Sequence, residues 1–317
     1  MTAQILLLIL GFALLIKGAD WLVDGGSALA RKYRVSELAI GLTVIAFGTS
    51  MPEMVVNVFA AYNGHADIVY GNIVGSNIFN LFVILGIAGL ISPLIVQAGT
   101  VWREIPLSLL AVILLYVLSN RFISGNELLS RTDGIILLLL FVLFLYYVFS
   151  QLKKESTVSG QNHKELTGFK IILFLILGLT FLVFGGRLVV SSAVKIAEVL
   201  GISQTIIGLT IIAAGTSLPE LATSVVAAIR KNNDIAVGNI IGSNIFNIFF
   251  ILGLSSVIKP IAYNTRFNFD LYFLGFGTLL VFIAMFSGKK KHLDRWEAGI
   301  LLLMFVGYTL FLIQSEQ

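Results

Sequence analysis

Long apolar stretches alternate with short polar connections along the whole chain. A helix needs about 20 mostly apolar residues to cross a bilayer. On this criterion the sequence predicts ten spanning segments, near residues 4–30, 36–62, 67–92, 103–119, 132–150, 168–198, 203–229, 234–258, 268–287 and 296–313. The pattern therefore predicts an all-α polytopic membrane protein.

One polar connection is longer than the others. Residues 151–167 contain three lysines and no long apolar run, which is typical of a flexible linker. We interpret 1–150 as a first five-helix membrane repeat, 151–167 as a cytoplasmic linker and 168–317 as a second repeat. The linker is too short to hold a folded regulatory domain.

The two halves carry related sequences. Adding 167 to a residue number in the first half gives its counterpart without a gap, from Gly18 and Gly185 to Pro93 and Pro260. Over positions 41–93, 30 of the 53 residues are identical to those 167 positions later. Because five spans per half is an odd number, the second half is expected to be inverted relative to the first. Two inverted five-helix repeats are a recurring plan of secondary transporters.

Composition supports a membrane location. Of the 317 residues, 57% are hydrophobic and 12% are charged, and the mean hydropathy is +0.97. A soluble domain would have about 25% charged residues. The lysines and arginines that give the pI of about 9.2 lie mainly in the connections, so the positive charge does not indicate nucleic-acid binding. The absence of cysteine excludes disulfides and thiolate metal sites.

The positions of lysine and arginine predict the orientation. If the N-terminus is outside, the cytoplasmic connections hold fourteen basic residues and the outer connections hold four. This bias predicts that both termini are extracytoplasmic. We expect the chain to lie in the plasma (inner) membrane. The apolar N-terminus has no basic n-region and no small-residue cleavage site, so we interpret it as a spanning helix, not a signal peptide.

Two polar motifs interrupt the apolar segments, once in each half. GTSMPE at 48–53 recurs as GTSLPE at 215–220, and GNIVGSNIFN at 71–80 recurs as GNIIGSNIFN at 238–247. Polar groups at membrane depth are costly and typically mark a substrate or ion pathway.

The first motif combines a helix breaker with oxygen ligands. Pro52 removes a backbone donor and clashes with the carbonyl of Gly48, so the carbonyls of 46–49 are expected to be partly freed from helical bonding. Thr49 and Glu53 are four residues apart and share a helix face. Carboxylate, hydroxyl and carbonyl oxygens are hard donors that suit calcium or sodium.

The second motif adds a stripe of serine and asparagine at four-residue spacing, with glycines that allow close helix approach. If the halves are symmetric, Glu53 and Glu220 converge near the membrane centre. Two carboxylates buried together repel each other, and one takes up a proton unless a positive charge is bound. No basic residue is obvious at their depth, so a bound cation is the expected counter-charge.

These duplicated motifs resemble the two α-repeats of the cation/calcium exchanger (CaCA) superfamily, and its prokaryotic sodium/calcium exchanger-like members in particular. The resemblance implies a ten-helix antiporter in which segments two, three, seven and eight form the ion sites and segments one and six slide across this core. The ligands it implies, with the alanines contributing backbone carbonyls, are Glu53, Glu220, Thr49, Thr216, Ser50, Ser217, Ser76, Ser243, Asn80, Asn247, Ala46 and Ala213. We assign gating or supporting roles to Asn72, Asn239, Asn77, Asn244, Pro52 and Pro219.

The predicted function is the exchange of Na⁺ for Ca²⁺ by alternating access, which is electrogenic if three sodium ions oppose one calcium. The alternative is a proton-coupled exchanger of calcium or another divalent cation, because a buried glutamate can accept a proton. Asn247 stands where potassium-dependent exchangers and some prokaryotic relatives have Asp, which argues against potassium cotransport. A membrane hydrolase using Ser50 or Ser217 is disfavoured, because neither motif supplies a His or Lys base.

The interacting species expected from this function are Na⁺, Ca²⁺, competing protons and the lipid bilayer, with no resident cofactor, no nucleic acid and no obligate protein partner. Two groups of charged residues remain. Asp67 and Asp234 open segments three and eight and are predicted N-caps. A water-facing or gate-lining role is predicted for Asp20, Asp24, Lys17 and Arg187.

Overall fold

The computed structural model describes residues 2–120, 127–151, 166–200, 213–288 and 290–315, and within these ranges the long elements are all helical. The helices are α1 Thr2–Tyr33, α2 Glu37–Thr49, α3 Met51–Asn63, α4 Ala66–Ile91, α5 Thr100–Asn120, α6 Arg131–Gln151, α7 Gly168–Val199, α8 Leu218–Ile229, α9 Asn233–Ile258, α10 Phe267–Ala284 and α11 Arg295–Ser315. A single turn, Ala213–Gly215, precedes α8.

The helices match the predicted membrane fold. In the described ranges, eight helices are long and apolar enough to cross a bilayer, and α2 with α3 forms a ninth span. The prediction of an all-helical polytopic membrane protein is therefore confirmed. The first part of the predicted segment 203–229 and most of the predicted linker 151–167 lie outside the described residues.

The second span is bent where its motif breaks the helix. The axes of α2 and α3 differ by 50°, and Ser50 lies between them with φ −82° and ψ 7°. Pro52 occupies the first turn of α3, where its missing N–H leaves no helical bond unmade. One membrane span thus contains a helix N-terminus within its length.

Some helical turns are wider than sequence patterns predict. In the part of the chain that the structure describes, four stretches wind as π-helix, and such turns frequently occur at functional sites. Two of them contain the last asparagine of the GSNIFN motif. The four are Gly41–Ile45, Phe79–Ile84, Thr100–Glu104 and Phe246–Leu252.

Helices α4 and α9 form the centre of the molecule. In their most apolar windows 72% and 94% of the residues are buried, whereas no other straight span exceeds 39%. The outer helices keep large apolar side chains exposed, as expected of surfaces that face lipid. The second polar motif therefore lies on the two most enclosed helices of the described chain.

The two longest helices, α1 and α7, pack against each other through glycine. A Cβ atom on Gly18 would lie 2.8 Å from the carbonyl oxygen of Gly178, and a Cβ on Gly185 would lie 2.8 Å from that of Gly11. Any side chain at these positions would push the backbones apart. We therefore treat α1 and α7 as one close-packed unit.

Two short antiparallel strand pairs connect the halves of the chain. β1 (Leu94–Ile95) pairs with β4 (His292–Leu293), and β2 (Leu128–Leu129) pairs with β3 (Ile261–Ala262). Each pair joins a connection of the first half to a connection of the second.

The acids that open α4 and α9 do not cap these helices. The N-cap of α4 is His65 and that of α9 is Asn232, so the predicted capping roles of Asp67 and Asp234 are wrong. The two helices begin at Ala66 and Asn233, one residue earlier than the hydropathy pattern predicts. Asp67 instead forms an ion pair with Arg266 at 3.1 Å.

Candidate cation site

Each motif glutamate accepts a hydrogen bond from the serine of the other half. Ser217 Oγ donates to Glu53 Oε1 over 3.2 Å, and Ser50 Oγ donates to Glu220 Oε1 over 2.8 Å. Both glutamates are only 1% exposed. The structure thus brings the two GTS-x-PE motifs together in the interior of the molecule.

The local backbone places these groups at helix ends. Glu53 lies in the first turn of α3 and Glu220 in the first turn of α8, where free backbone N–H groups favour negative charge. Ser50 and Ser217 occupy the N-cap positions but make no side-chain cap bond. Their hydroxyls bind the opposite glutamate instead.

The motif threonines are bonded across the halves in the same way. Thr49 Oγ1 donates to Asn239 Oδ1 over 3.1 Å, and Thr216 Oγ1 donates to Asn72 Oδ1 over 3.2 Å. These bonds join the first motif of one half to the second motif of the other. All four residues come from the predicted set.

The backbone carbonyl of Ala46 is not free. It accepts a hydrogen bond from the Ser50 N–H at 3.0 Å, and it lies 3.3 Å from the Thr49 hydroxyl, which shares its one proton between this oxygen and Asn239 Oδ1. The expected partial freeing of the carbonyls of 46–49 does not extend to Ala46, because Ser50 continues the helical pattern before the chain bends. The side chain of Ala213 lies outside the described atoms.

Four asparagines of α4 and α9 form a closed network. Asn80 Nδ2 donates to Asn244 Oδ1 over 3.1 Å, and Asn247 Nδ2 donates to Asn77 Oδ1 over 2.8 Å. Asn77 and Asn244 also donate to each other's backbone carbonyls, at 3.2 and 3.4 Å. Because Asn80 and Asn247 use their nitrogens in these bonds, each keeps its carbonyl oxygen for another partner.

Six buried oxygens of the motif residues have no hydrogen-bond partner in the structure. Buried polar atoms are rarely left unpaired, because each costs roughly 1–3 kcal/mol. The six form three pairs related by 167 positions: Oε2 of Glu53 and Glu220, Oγ of Ser76 and Ser243, and Oδ1 of Asn80 and Asn247. Hard oxygen donors that include two carboxylates are the ligands of calcium and sodium.

The site is covered unequally. Asn239 is fully buried, whereas its counterpart Asn72 is partly exposed. Gly238 and Gly242 of α9 are buried against α2, and a Cβ on Gly242 would lie 2.8 Å from the carbonyl oxygen of Leu42. The counterpart glycines of α4 are exposed or half-buried. Among the described residues, the glycines of α4 are therefore less covered than those of α9.

Supporting contacts differ between the halves. Asn57 Nδ2 donates to the carbonyl oxygen of Glu53 over 2.8 Å. In the second half Asn239 Nδ2 performs this role for the Glu220 carbonyl at 3.3 Å and also donates to Ser224 Oγ at 2.9 Å. These contacts hold the first turns of α3 and α8 in place.

Arg230, which follows α8, entered the sequence analysis only as one of the basic residues in the connections. Arg230 forms ion pairs with Asp20 and Asp24 of α1, each at 2.5 Å. The four-residue spacing of Asp20 and Asp24 puts both on one face of α1. This spacing is the sequence signal that could have predicted a basic partner such as Arg230.

A buried set of oxygen ligands within a bundle of apolar helices is typical of a membrane transporter for cations. Residues 3–150 and 170–314 match the family described as sodium/calcium exchanger protein. The chain belongs to this family of ion transporters and is not an enzyme.

Individual relatives support this membership over almost the whole chain. The chain is 34% identical to sodium/calcium exchanger MaX1 of Methanosarcina acetivorans, with 98% of each chain covered. It is 41% identical to inner membrane protein YrbG of Escherichia coli over 80% of this chain and 79% of the relative.

A solved structure of the sodium–calcium exchanger NCX_Mj, soaked with zero Na⁺ and Ca²⁺, matches with a TM-score of 0.82 at 33% identity, and 99% of each chain is covered. The structures of NCX_Mj are described in terms of extracellular ion exchange and induced binding-site occlusion. The chain is thus an integral membrane protein of the cation/calcium exchanger class.

Proposed function

We propose that this protein exchanges sodium for calcium across the membrane by alternating access. The observation that carries the proposal is the set of six unpartnered buried oxygens, arranged in three related pairs around two carboxylates. The names of the relatives MaX1 and NCX_Mj add support for sodium as the exchanged ion. Ten spanning helices in two inverted five-helix repeats are part of the proposal.

Calcium binds between the two halves of the site. The carboxylates of Glu53 and Glu220 carry two negative charges, which one divalent cation neutralises. Thr49 and Thr216, one turn before the glutamates, supply further oxygens from the hydroxyl or backbone. Hard oxygen ligands with a total charge of two suit calcium better than they suit soft metals.

Sodium competes for the same ligands. Its sites combine the two glutamates with the unpartnered side-chain oxygens of Ser76, Ser243, Asn80 and Asn247, and with Ser50 and Ser217. Because sodium and calcium share the carboxylates, full occupancy by one excludes the other, and this exclusion couples the two fluxes. The carbonyls of Ala46 and Ala213 complete the proposed set. Ala46 joins only when Thr49 turns its hydroxyl away.

The asparagine network orients the sodium ligands. Asn77 and Asn244 accept the amide hydrogens of Asn247 and Asn80, which leaves the amide oxygens of the latter pair available to cations. Asn72 and Asn239 hold the motif threonines. The motif prolines position the first turns of α3 and α8.

Three sodium ions exchanged for one calcium move one net positive charge per cycle, so transport is electrogenic in this proposal. The basic residues of the connections favour extracytoplasmic termini and a plasma (inner) membrane location. The first turns of α4 then face outward. No resident cofactor is required.

A proton-coupled divalent exchanger is the second candidate. It is favoured by the two buried carboxylates, each of which accepts a proton when no cation is bound. Protons and calcium then compete at Glu53 and Glu220 as sodium and calcium do in the first proposal.

Calcium uptake into proteoliposomes tests the two candidates. An imposed sodium gradient is expected to drive uptake, and to carry positive charge opposite to the calcium flux. Uptake driven only by a proton gradient would overturn sodium exchange in favour of the second candidate. Glu53→Gln should abolish uptake, whereas Glu104→Gln, which changes a buried glutamate on α5 bonded to Tyr147, serves as the matched control.

A further inference from the structure

Arg230 fastens the end of α8 to the middle of α1. Its Nη1 lies 2.5 Å from Asp24 Oδ1 and its Nη2 lies 2.5 Å from Asp20 Oδ1. Asn232 Nδ2, in the same connection, donates to Ser27 Oγ over 3.0 Å. The three partners on α1 are spaced four and three residues apart, so they share one helix face.

The other half of the chain has no equivalent of this bridge. The counterpart of Arg230 is Asn63, whose amide donates to the carbonyl of Phe59 in its own helix at 2.8 Å. The counterparts of Asp20 and Asp24 are Arg187 and Ser191. The related position therefore has neither the basic residue at the helix end nor the two carboxylates opposite it. This difference between the halves is already present in the sequence.

The helix seams on the two sides differ in the same way. Helix α8 packs along α1, whereas α3 makes no comparable contact with α7 in the part of the chain that the structure describes. Thr223 and Val226 of α8 are 0% and 8% exposed, but their counterparts Val56 and Phe59 of α3 are 37% and 66% exposed. Within the described residues, the α1–α8 seam is closed and the α3–α7 seam is open.

Opening of the closed seam must break the bridge. In alternating access, each side of the site is exposed in turn. Since α1 and α7 are packed through glycine backbones, they move as one body, and displacing α1 from α8 separates Arg230 from both aspartates. The bridge therefore contributes to one access state only.

We propose that Arg230 with Asp20 and Asp24 is a latch that holds the α1–α8 seam closed and favours the state in which the α3–α7 seam is open. The latch rests on the proposed exchange function. Its side chains are about one-third to one-half exposed, which keeps its contribution small enough to be reversed in each cycle. Each exposed ion pair shifts an equilibrium by up to about fivefold.

The absence of cysteine makes the latch directly testable. Val226→Cys reports on the α1–α8 seam and Phe59→Cys on the α3–α7 seam, through their rates of reaction with a membrane-impermeant thiol reagent added to either side of proteoliposomes. Adding Arg230→Ala is expected to accelerate labelling of Val226→Cys roughly three- to twentyfold and to leave labelling of Phe59→Cys unchanged or slower. Unchanged labelling of Val226→Cys would overturn the latch, and so would acceleration at both positions, which indicates general loosening.

Matched variants separate the latch from a loss of folding. Lys231→Asn removes a neighbouring positive charge at a left-handed position (φ 59°) that asparagine tolerates, and it should leave both rates unchanged. Asp20→Asn and Asp24→Asn preserve shape and should each give a smaller acceleration than Arg230→Ala. The swapped pair Arg230→Asp with Asp24→Arg should return labelling of Val226→Cys toward its parent rate, and failure of this rescue in folded protein would count against the latch.

The same vesicles distinguish the latch from the exchange function. Sodium-driven calcium uptake is measured with the single-cysteine parents. If sodium-driven calcium uptake is present but Arg230→Ala does not change the labelling rate, the latch is rejected and the exchange function is retained. Labelling that responds to Arg230→Ala in vesicles without sodium-driven uptake rejects sodium exchange and retains the latch. If Arg230→Ala does not fold, Asp24→Asn carries the test.

Discussion

Asn247 donates its side-chain amide to Asn77 Oδ1 over 2.8 Å, and this bond determines which end of Asn247 is available to a cation. With the nitrogen committed, the amide oxygen is left buried and unpartnered. Asn80 and Asn244 form the related bond at 3.1 Å. Two residues without a charge thus convert two amides into oriented oxygen ligands.

Removing the acceptor at Asn77 should therefore weaken sodium binding without removing a ligand. In Asn77→Leu the Asn247 amide is free to rotate and present its nitrogen, because its bond to Asn77, worth about 1 kcal/mol, is lost together with the bond from Asn77 to the Asn244 carbonyl. We expect the sodium concentration for half-maximal exchange to rise about fivefold. Asn77→Asp keeps an acceptor oxygen and should be affected less, and equal effects of the two variants would contradict this account.

The two glutamates should contribute to calcium binding in similar measure. Glu53→Gln or Glu220→Gln removes one of the two charges that balance the ion, at an expected cost of about 3 kcal/mol, or roughly a hundredfold in Kd. Calcium binding to detergent-solubilised protein, measured by calorimetry, tests this value. Unchanged affinity in either variant would refute the site. Glu104→Gln should bind calcium like the parent protein.

Calcium affinity should fall as the pH is lowered. The calcium-bound site needs both carboxylates ionised, whereas the ion-free site binds protons to relieve the repulsion between them. Calcium binding then releases protons, and acid opposes it. Across a pH series, the slope of log Kd against pH gives the number of protons released per calcium bound. This number should be at most two in the parent and at most one in Glu53→Gln. A pH-independent affinity would be inconsistent with two titrating ligands.

A side chain at the glycine contact between α1 and α7 should disrupt the pair. A Cβ on Gly18 would lie 2.8 Å from backbone atoms of α7, which cannot yield as a flexible side chain does. Gly18→Ala is expected to lower the free energy of unfolding by about 1–3 kcal/mol and to slow transport. Gly299→Ala on α11, where no described atom lies within 4 Å of the added Cβ, is the control for thermal stability.

The sequence predicts those features that depend on composition and spacing. Apolar runs of about 20 residues located the membrane spans, and Pro52 marked the bend between α2 and α3. The four-residue spacing of Asn72, Ser76 and Asn80 placed them on one helix. Duplication then indicated that the two glutamates meet, as the bonds of Ser217 and Ser50 reflect.

Features set by tertiary packing were not predictable in this way. The π-helical turn at Phe79–Ile84 depends on how α4 fits its neighbours, and no local residue type signals it. The N-cap prediction for Asp67 failed because the helix begins at Ala66, so the N-cap is His65, two positions before Asp67. The Ala46 carbonyl kept its bonds because Ser50 remained in helical register, which the position of Pro52 does not reveal.

The cross-half bonds also determine when the site can form during synthesis. The partners that fix Glu53, Asn77 and Asn80 are supplied by residues 164 to 170 positions later in the chain. When the first half of the chain has left the ribosome, these polar groups lie in the membrane without their partners. The polar groups of the first half therefore stay unpaired in the membrane until the second half is inserted. Assembly of the cation site is consequently a late step in the biogenesis of this protein.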